Sequence, residues 1–392
     1  MICEVSVKNF KSLKDIVARL GQRNVLVGPN LSGKSNFISV FRFLNQMVSA
    51  APGTYGLPNA IQLAGGFFDL AWKGSESGPV SVGLTGKGSP FDAFGIETTW
   101  DYRIAFIGDQ WGNPRVQEES LAVEAAGQTI NLIETEGAVR KLKKQDGQSL
   151  SQVSDSNRSA LEYEIPEWEG DALRRFFRAS QVHHLVPPLM RSFNQSVATE
   201  FLQEYGGNLG SWLMTLQTKH SDSFERIARV AKDAFPELER LFTVPTQQAQ
   251  VFLASEEKYL KRPVSAFQMS DGELAFIALL SLLFSPRELG APLYCVEEPE
   301  NHLHPRLLDT LVEVLKQVQE ELSPENRSQI LITTHSPYLI DKLSLDELIV
   351  LENREGATIL TRPSDKAHLR DLLQKEEVGL GELYYSGALS GE

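Results

Sequence analysis

The sequence predicts an α/β fold. One parallel-type sheet is assembled from the two ends of the chain, and the middle is inserted as an antiparallel β lobe and a helical subdomain. Three observations predict it. Short apolar strands run into turns and helices near the start ("NVLVG", then "SNFISVFRFLNQMVS") and again near the end ("PLYCVEEPE", "QILITTHSPYLI"). Between them, "VSVGLTG", "TTWDYRIAFIG", "ESLAVEA", "QTINLIETEG" and "ALEYEI" alternate polar with apolar residues and are divided by Gly, Asn or Asp, the pattern of an antiparallel meander. Further on, "DALRRFFRAS", "SVATEFLQEY" and "FERIARVAKDAF" carry a helical pattern. The expected units are residues 1–78, an N-terminal part of the main sheet; 79–165, the β lobe; 166–262, the helical subdomain with two return strands; and 263–392, the C-terminal part of the main sheet.

Each element has its own reason. "MICEVSVKNF" alternates weakly and turns at "KSLKD". In "SNFISVFRFLNQMVS" the spacing of Phe37, Val40, Phe41 and Leu44 is helical, and "APGTYGLP" ends that helix. "AQVFLA" and "PVSAFQM" read as the return strands. "LAFIALLSLLF" (Leu274–Phe284) is too short to span a bilayer and reads as a buried helix. "PRLLDTLVEVLKQVQEEL" is amphipathic, and "ELIVLE" with "ATILT" makes a closing hairpin.

Composition narrows the function classes. The 392 residues, 42% of them hydrophobic, suffice for two or three lobes. A net charge of −13 excludes a surface coated for indiscriminate nucleic-acid binding. It leaves room for one local basic surface, for which "RKLKK" (Arg140–Lys144) and "RRFFR" (Arg174–Arg178) are the best candidates for DNA contact. Two cysteines far apart, Cys3 and Cys295, read as free thiols of a cytoplasmic chain. The opening "MICEVSVKNFKSL" lacks the apolar core of a signal peptide, so no membrane association is expected.

The chemistry begins at Gly28-Pro29-Asn30-Leu31-Ser32-Gly33-Lys34-Ser35, which fits G-x-x-x-x-G-K-[ST] between a strand and a helix. Glycines let backbone amides curl around a phosphate, and the following helix offers free N–H groups and its positive end. Lys34 would reach the outer phosphates, and the Ser35 hydroxyl is suited to Mg²⁺. The candidate nucleotide-binding residues are Asn30, Gly33, Lys34, Ser35 and Asn36. In "LYCVEEPE", Glu297 and Glu298 end an apolar strand. One carboxylate there can serve the Mg²⁺ shell, and its neighbour can orient or deprotonate a water. His335 ends another apolar strand, where it either holds structure or faces the γ-phosphate. Ser270-Asp271-Gly272-Glu273 opens the long apolar helix, either as an N-cap or as a second phosphate-binding helix start.

In this order "GPNLSGKS", "MSDGE", "LYCVEEPENHLHP" and "TTHSP" resemble the motifs of the ABC-type ATPases, in the RecF/SMC/OLD-like branch. "VSVKNFKSL", "GGNLGSWLMTL" and the ending "LGELYYSGALSG" are similar to that branch too. The resemblance covers most of the chain and implies a P-loop NTPase head with ATP and Mg²⁺ as cofactors. It implies a homodimer in which two heads sandwich two ATP molecules. Each site would take Gly28–Ser35, Glu297, Glu298 and His335 from one head, and Ser270 and Gly272, with Asp271 between, from the other. Glu298 and His335 would be catalytic, and Ser35 with Glu297 would hold the metal. Gln62 is the candidate for the glutamine between lobes, set against an ordinary surface glutamine. One departure is Glu297, where many ABC proteins have Asp.

His302 and His304 in "NHLHP" have no cysteine near them, so a metal site is not favoured; the resemblance puts them at the head–head interface. The stretch after His335 is too short for the Toprim domain of OLD nucleases, and the insertion lacks SMC-type heptads. "HHLVPPLMRSFN" (His183–Asn194) lacks the spacing of a nuclease finger. The expectation is a stand-alone ATPase head without nuclease activity of its own. It would clamp DNA or gate an effector, such as a nuclease from a neighbouring gene, in anti-phage defence or DNA repair. A transporter subunit would have a far shorter insertion, and a switch with little turnover would not need Glu298.

Overall fold

The apolar strands from the two ends of the chain meet in one sheet. The computed structural model describes residues 1–50, 54–74, 78–94, 98–322, 327–366, 369 and 379–389. The "APG" at 51–53 and the last residues of "LGELYYSGALSG", which the sequence reading used, lie outside them. The chain opens with β1 (Ile2–Phe10), β2 (Leu13–Arg19) and β3 (Arg23–Val27), followed by helices α1 (Lys34–Val48), α2 (Gly56–Leu63) and α3 (Phe67–Leu70). The meander comprises β4 (Val80–Lys87), β5 (Thr99–Gly108), β6 (Pro114–Ala125), β7 (Gln128–Glu136), β8 (Val139–Lys143) and β9 (Ser149–Val153). Next come α4 (Asp171–Ala179), β10 (Gln181–His183), α5 (Pro187–Met190), β11 (Asn194–Gln195), α6 (Leu209–Lys219) and α7 (Ser221–Ala234). Strands β12 (Leu238–Pro245), β13 (Gln250–Glu257) and β14 (Val264–Ser265) precede α8 (Asp271–Leu283). The chain returns through β15 (Leu293–Glu297), α9 (Pro305–Glu321), β16 (Gln329–Thr334), α10 (Pro337–Ile340), β17 (Leu348–Arg354) and β18 (Ala357–Thr361), with a short helix at Leu380–Tyr385.

Three sheets result among the described residues. The central one has the order β10-β15-β16-β3-β17-β18. All its pairings are parallel except β17 with β18. The second is an eight-stranded antiparallel sheet, β2-β1-β4-β5-β6-β7-β8-β9. The third joins β11, β13 and β12, with β14 on β13. Helix α1 is the wedge between the first two. Its Phe37, Phe41, Phe43 and Leu44 share one core with Val5 and Val7 of β1, Ile104 of β5, Cys295 of β15 and Leu331 of β16. The other face of the central sheet is split. Val25 and Val27 pack with Leu348, Val350 and Ile340, while Tyr294 and Val296 pack with α6, α7, α8 and α9. A strand buried on both faces has to be apolar throughout, which is why β3, β15 and β16 show no alternation. Among the described residues, no helix is long and apolar enough to cross a membrane.

Four expectations change. "ALEYEI" is not a strand: Ser159 and Glu162 form a capping box over a 3-10 turn at Ala160–Glu162. The Glu162 carboxylate also accepts from the Gly56 and Leu57 amides at 2.6 and 2.9 Å, so the segment anchors α2 instead of pairing in the sheet. "SVATEFLQEY" is not a helix. There Asn208 accepts from the Gln203 amide at 2.8 Å and donates to the Phe201 carbonyl at 3.0 Å, and Thr215 Oγ1 accepts from the Thr199 amide at 2.9 Å. These side chains take backbone groups that a helix would use. The unit expected at 166–262 as a helical subdomain with two return strands also contains β10 and β12, and β10 is an edge strand of the central sheet.

The fourth change concerns Arg140, which is no basic surface residue but lies 2% exposed beside a fully buried Glu119. Its guanidinium donates to the carbonyls of Asp155 and Arg158. The Glu119 carboxylate accepts from Tyr102 Oη at 3.0 Å, Ser159 Oγ at 2.6 Å and the Ala160 amide at 2.7 Å. Burial pushes the Glu119 carboxyl up, and these hydrogen bonds with the Arg140 charge oppose it. Removing one partner of such a buried pair costs about 3–5 kcal/mol. We therefore predict that Arg140→Met lowers the unfolding free energy by that order in urea denaturation. A loss no larger than that of an exposed lysine substitution would contradict this packing.

Candidate functional site

Strand β3 ends at Val27 and α1 begins at Lys34, so residues 28–33 form the connecting loop at the carboxyl edge of the central sheet. Two glycines are required there. A Cβ on Gly28 would lie 2.2 Å from the Leu351 carbonyl oxygen, and one on Gly33 would lie 2.1 Å from Thr358 Oγ1. Gly33 also has φ of 103°, in the left-handed region. The loop is braced from the closing hairpin. Asn36 Nδ2 donates to Ser12 Oγ at 2.7 Å, and Ser12 Oγ meets Thr358 Oγ1 at 2.7 Å. Thr358 Oγ1 donates to the Ser32 carbonyl at 3.0 Å, and Asn353 Nδ2 donates to the Leu31 carbonyl at 3.2 Å. Lys34 Nζ donates to the Gly28 and Pro29 carbonyls at 2.6 and 3.0 Å. Burial pulls its pKa down, and the charges of Glu298 and Glu300 oppose that. Asn30 and Ser35 are exposed. Beside the start of α1 an open cavity of about 450 Å³ is lined by Lys11, Ser12, Asn36, Trp72 and Glu355 among others.

The acids lie two strands away at the same edge. Glu297 is the last residue of β15 and pairs in register with Thr333 of β16. Glu298 has φ of 44°, and its amide donates to the Thr333 carbonyl at 3.0 Å. That kink ends the strand and turns the next acids over the tip of β16. Glu298 Oε2 accepts from Asn301 Nδ2 at 3.0 Å, and its Oε1 is 3.5 Å from His335 Nδ1. Two residues that the sequence reading missed complete the group. Glu300 Oε1 accepts from Thr334 Oγ1 at 2.5 Å and from the His335 amide at 3.1 Å, while its Oε2 is buried without a partner among the described residues. Arg42 of α1 places Nη2 2.7 Å from Glu297 Oε1. Glu300 was signalled by the third acid of "EEPE"; nothing in the sequence marked Arg42.

The Ser270–Glu273 turn belongs to the other side of the sheet. Ser270 caps α8: its Oγ accepts from the Glu273 amide at 3.2 Å, and Glu273 Oε2 accepts from the Ser270 amide at 2.7 Å. A Cβ on Gly272 would lie 2.9 Å from the His302 carbonyl oxygen. Asp271 pairs with Arg191 at 2.6 Å and lies 3.5 Å from His302 Nδ1. His304 Nδ1 accepts from the Arg306 amide at 3.3 Å, capping α9. Among the described residues, no group of three metal-ligating side chains occurs, and no hydrogen bond or ion pair joins the Ser270 turn to the glycine loop of the same chain. Gln62 is exposed on α2, outside the bonds that tie the glycine loop and acids together.

In the second basic run Arg174 is internal, while Arg175 and Arg178 are exposed. Arg174 is 7% exposed and holds Asp171 at 2.5 Å, while Arg175, 68% exposed, pairs with the same carboxylate at 2.7 Å. Lys141 and Lys143 are paired with Glu136 and Glu134. The expectation of a free basic surface at Arg174 is thereby corrected: the helix amphipathy that makes "RRFFR" look cationic turns Arg174 inward, onto its acid.

Among solved structures the chain is similar to an SMC head bound to the C-winged helix domain of ScpA. The identity is 16%, with 92% of this chain and 96% of that one covered and a TM-score of 0.56. It is also similar to an SMC head domain with an extended coiled coil, bound to the C-terminal domain of ScpA derived from Pyrococcus furiosus. There the identity is 14%, the coverage 95% and 99%, and the TM-score 0.50. The fold is that of an SMC head domain. Within this head, residues 213–341 match the family described as "AAA domain, putative AbiEii toxin, Type IV TA system". That span holds the α8 turn, the β15 acids and His335, and leaves out the glycine loop. No curated protein sequence matches the chain.

The geometry of the glycine loop gives a direct test. Gly33→Ala has to relieve both a clash and a left-handed φ, a strain of about 1–3 kcal/mol. We predict that it lowers the melting temperature in thermal denaturation. A variant that melts like the wild type would show that the loop is not held as described.

Proposed function

We propose that this head binds ATP with Mg²⁺, that two copies close around two ATP molecules, and that hydrolysis reopens them. The observation that carries the reading is the meeting of a phosphate-type loop with a row of acids and His335 at one sheet edge, where open α/β sheets bind ligands. The residues fit the group. Gly28 and Gly33 leave no Cβ over the loop, Lys34 is held at its rim, and the Ser35 hydroxyl with the Glu297 carboxylate offers the hard oxygens that Mg²⁺ takes. Bound Mg²⁺ would neutralise charge on the outer phosphates. Asn30, Gly33 and Asn36 would complete the loop's hold, and the cavity at Trp72 has room for a nucleoside. Glu298 would orient or deprotonate the attacking water, and His335, held beside Glu298 and Glu300, would meet the γ-phosphate. Ser270 and Gly272 would serve the partner's ATP, since they have no tie to their own loop among the described residues. Gln62 is the proposed glutamine between the lobes.

For the use of the cycle we propose the gating of a protein effector, such as a nuclease from a neighbouring gene, in anti-phage defence. Two of the similar SMC heads are bound to ScpA, a protein partner, and the matching family description names a toxin system. Clamping DNA, as in repair, is the second reading. It now rests on Arg175 and the exposed Arg178, because Arg140 and Arg174 are buried.

Glu298→Gln tests both levels. Turnover should fall by about 10²-fold or more, as for the loss of a general base, with ATP binding kept and an ATP-dependent dimer visible in sedimentation. Unchanged turnover would remove Glu298 from catalysis, and a monomer saturated with ATP would remove the sandwich. Pull-down of the same variant from its native host should yield an effector protein. DNA without any protein would favour the clamp.

A further inference from the structure

Arg42 lies two helical turns beyond Ser35 and so on the same face of α1. Its guanidinium serves two carboxylates at once. Nη2 is 2.7 Å from Glu297 Oε1 and 2.7 Å from Glu204 Oε1, and Nε donates to Glu204 Oε1 at 2.8 Å. All three side chains are largely withdrawn from solvent, with exposures of 25%, 9% and 27% for Arg42, Glu297 and Glu204. Screening by salt and water is therefore weak, and the charge of one group is felt by the others. Glu204 belongs to the irregular segment that follows α5, and its carbonyl accepts from the His184 amide at 2.9 Å, just past the end of β10. The same stretch of chain supplies Arg191, which holds Asp271 at 2.6 Å and the Met269 carbonyl at 2.7 Å. The 184–204 stretch thus touches the acid edge through Glu204 and the α8 turn through Arg191.

We propose that Arg42 is a shared counter-ion whose partition between Glu297 and Glu204 sets how much divalent cation the nucleotide site requires. The inference rests on the reading of Glu297 as the magnesium-side acid. A cation at Glu297 has to displace Arg42 from Oε1, and Glu204 is the seat to which the guanidinium withdraws. Arg42 is a positioning residue: it acts on the site through Glu297. Because Glu204 is fixed to the segment that also grips Asp271, seating Arg42 wholly on Glu204 ties cation binding at one edge to the chain that holds the α8 turn.

Charge removal at the two ends has opposite consequences. Glu204→Gln takes away the alternative seat, leaves Arg42 on Glu297 and raises the Mg²⁺ needed. Arg42→Met frees Glu297 and leaves Glu204 uncompensated beside it, so less Mg²⁺ is needed. Arg42→Lys keeps the charge without the fork and should fall between wild type and Arg42→Met. The experiment is a Mg²⁺ titration of the binding of a fluorescent ATP analogue to the full chain, read by anisotropy, so that turnover plays no part. The expected result is a shift of the half-saturating Mg²⁺ of about threefold to fivefold upward for Glu204→Gln and downward for Arg42→Met, the scale of one partly exposed charge pair. Shifts in the same direction would mark a merely structural role and overturn the proposal. So would identical midpoints. Failure of the wild type to bind the analogue at any Mg²⁺ concentration is a distinct outcome, which overturns the nucleotide site itself and the shared counter-ion with it.

Discussion

The loop after β3 can exist only because the closing hairpin lies against it without a Cβ between. Gly28 faces the Leu351 carbonyl and Gly33 faces Thr358, both within distances that no Cβ tolerates. The chain's two ends are joined at this point. The hydroxyl relay Asn36–Ser12–Thr358–Ser32 carries the contact across three elements remote in sequence. With the loop fixed, the N-terminus of α1 is aimed along the sheet edge, and the Lys34 ammonium is held where the Glu298 and Glu300 charges reach it. Burial pulls the pKa of that ammonium down, and the Glu298 and Glu300 charges oppose the shift.

The order of the central sheet does the rest. Because β16 lies between β3 and β15, the glycine loop and the Glu297 strand end are separated by one strand, and His335 emerges between them. Parallel pairing sends all of these chain ends to the same edge. Among the described residues, the antiparallel sheet contributes no acid to that edge. Its part is to cover α1, whose phenylalanines fill the space between the two sheets and set the angle at which the helix points. The α6–α9 side carries the Ser270 turn, so that turn and the glycine loop rise from different cores.

Much of this was legible from residues alone where one signal had one meaning. Gly28–Ser35 combines a strand, a fixed glycine spacing and a helix, and few other structures need all three. The apolar runs of β3, β15 and β16 read clearly because burial on both faces forbids alternation. Legibility failed where tertiary partners decided. "SVATEFLQEY" has helical spacing, but Asn208 and Thr215 claim its backbone. β10 is three residues long, too short for any period to show. Arg140 and Arg174 carry charge, which in a sequence argues for solvent, but each has a buried acid waiting for it. Arg42 sits in an amphipathic helix like any surface arginine, and only the fold brings Glu297 to it from across the sheet. Ser270 shows a different limit: a capping box and a phosphate-binding helix start use the same residues, and the cap that forms here is compatible with either.

The central claim is that the edge formed by the glycine loop and the acids is a nucleotide site. Isothermal titration of MgATP into the wild type and into Lys34→Met tests it most directly. One site per chain is expected in the wild type, with a loss of affinity of about tenfold or more in the variant, the scale of a charge-assisted contact. Wild-type protein that takes up no nucleotide, or a Lys34→Met variant that binds equally well, would contradict it.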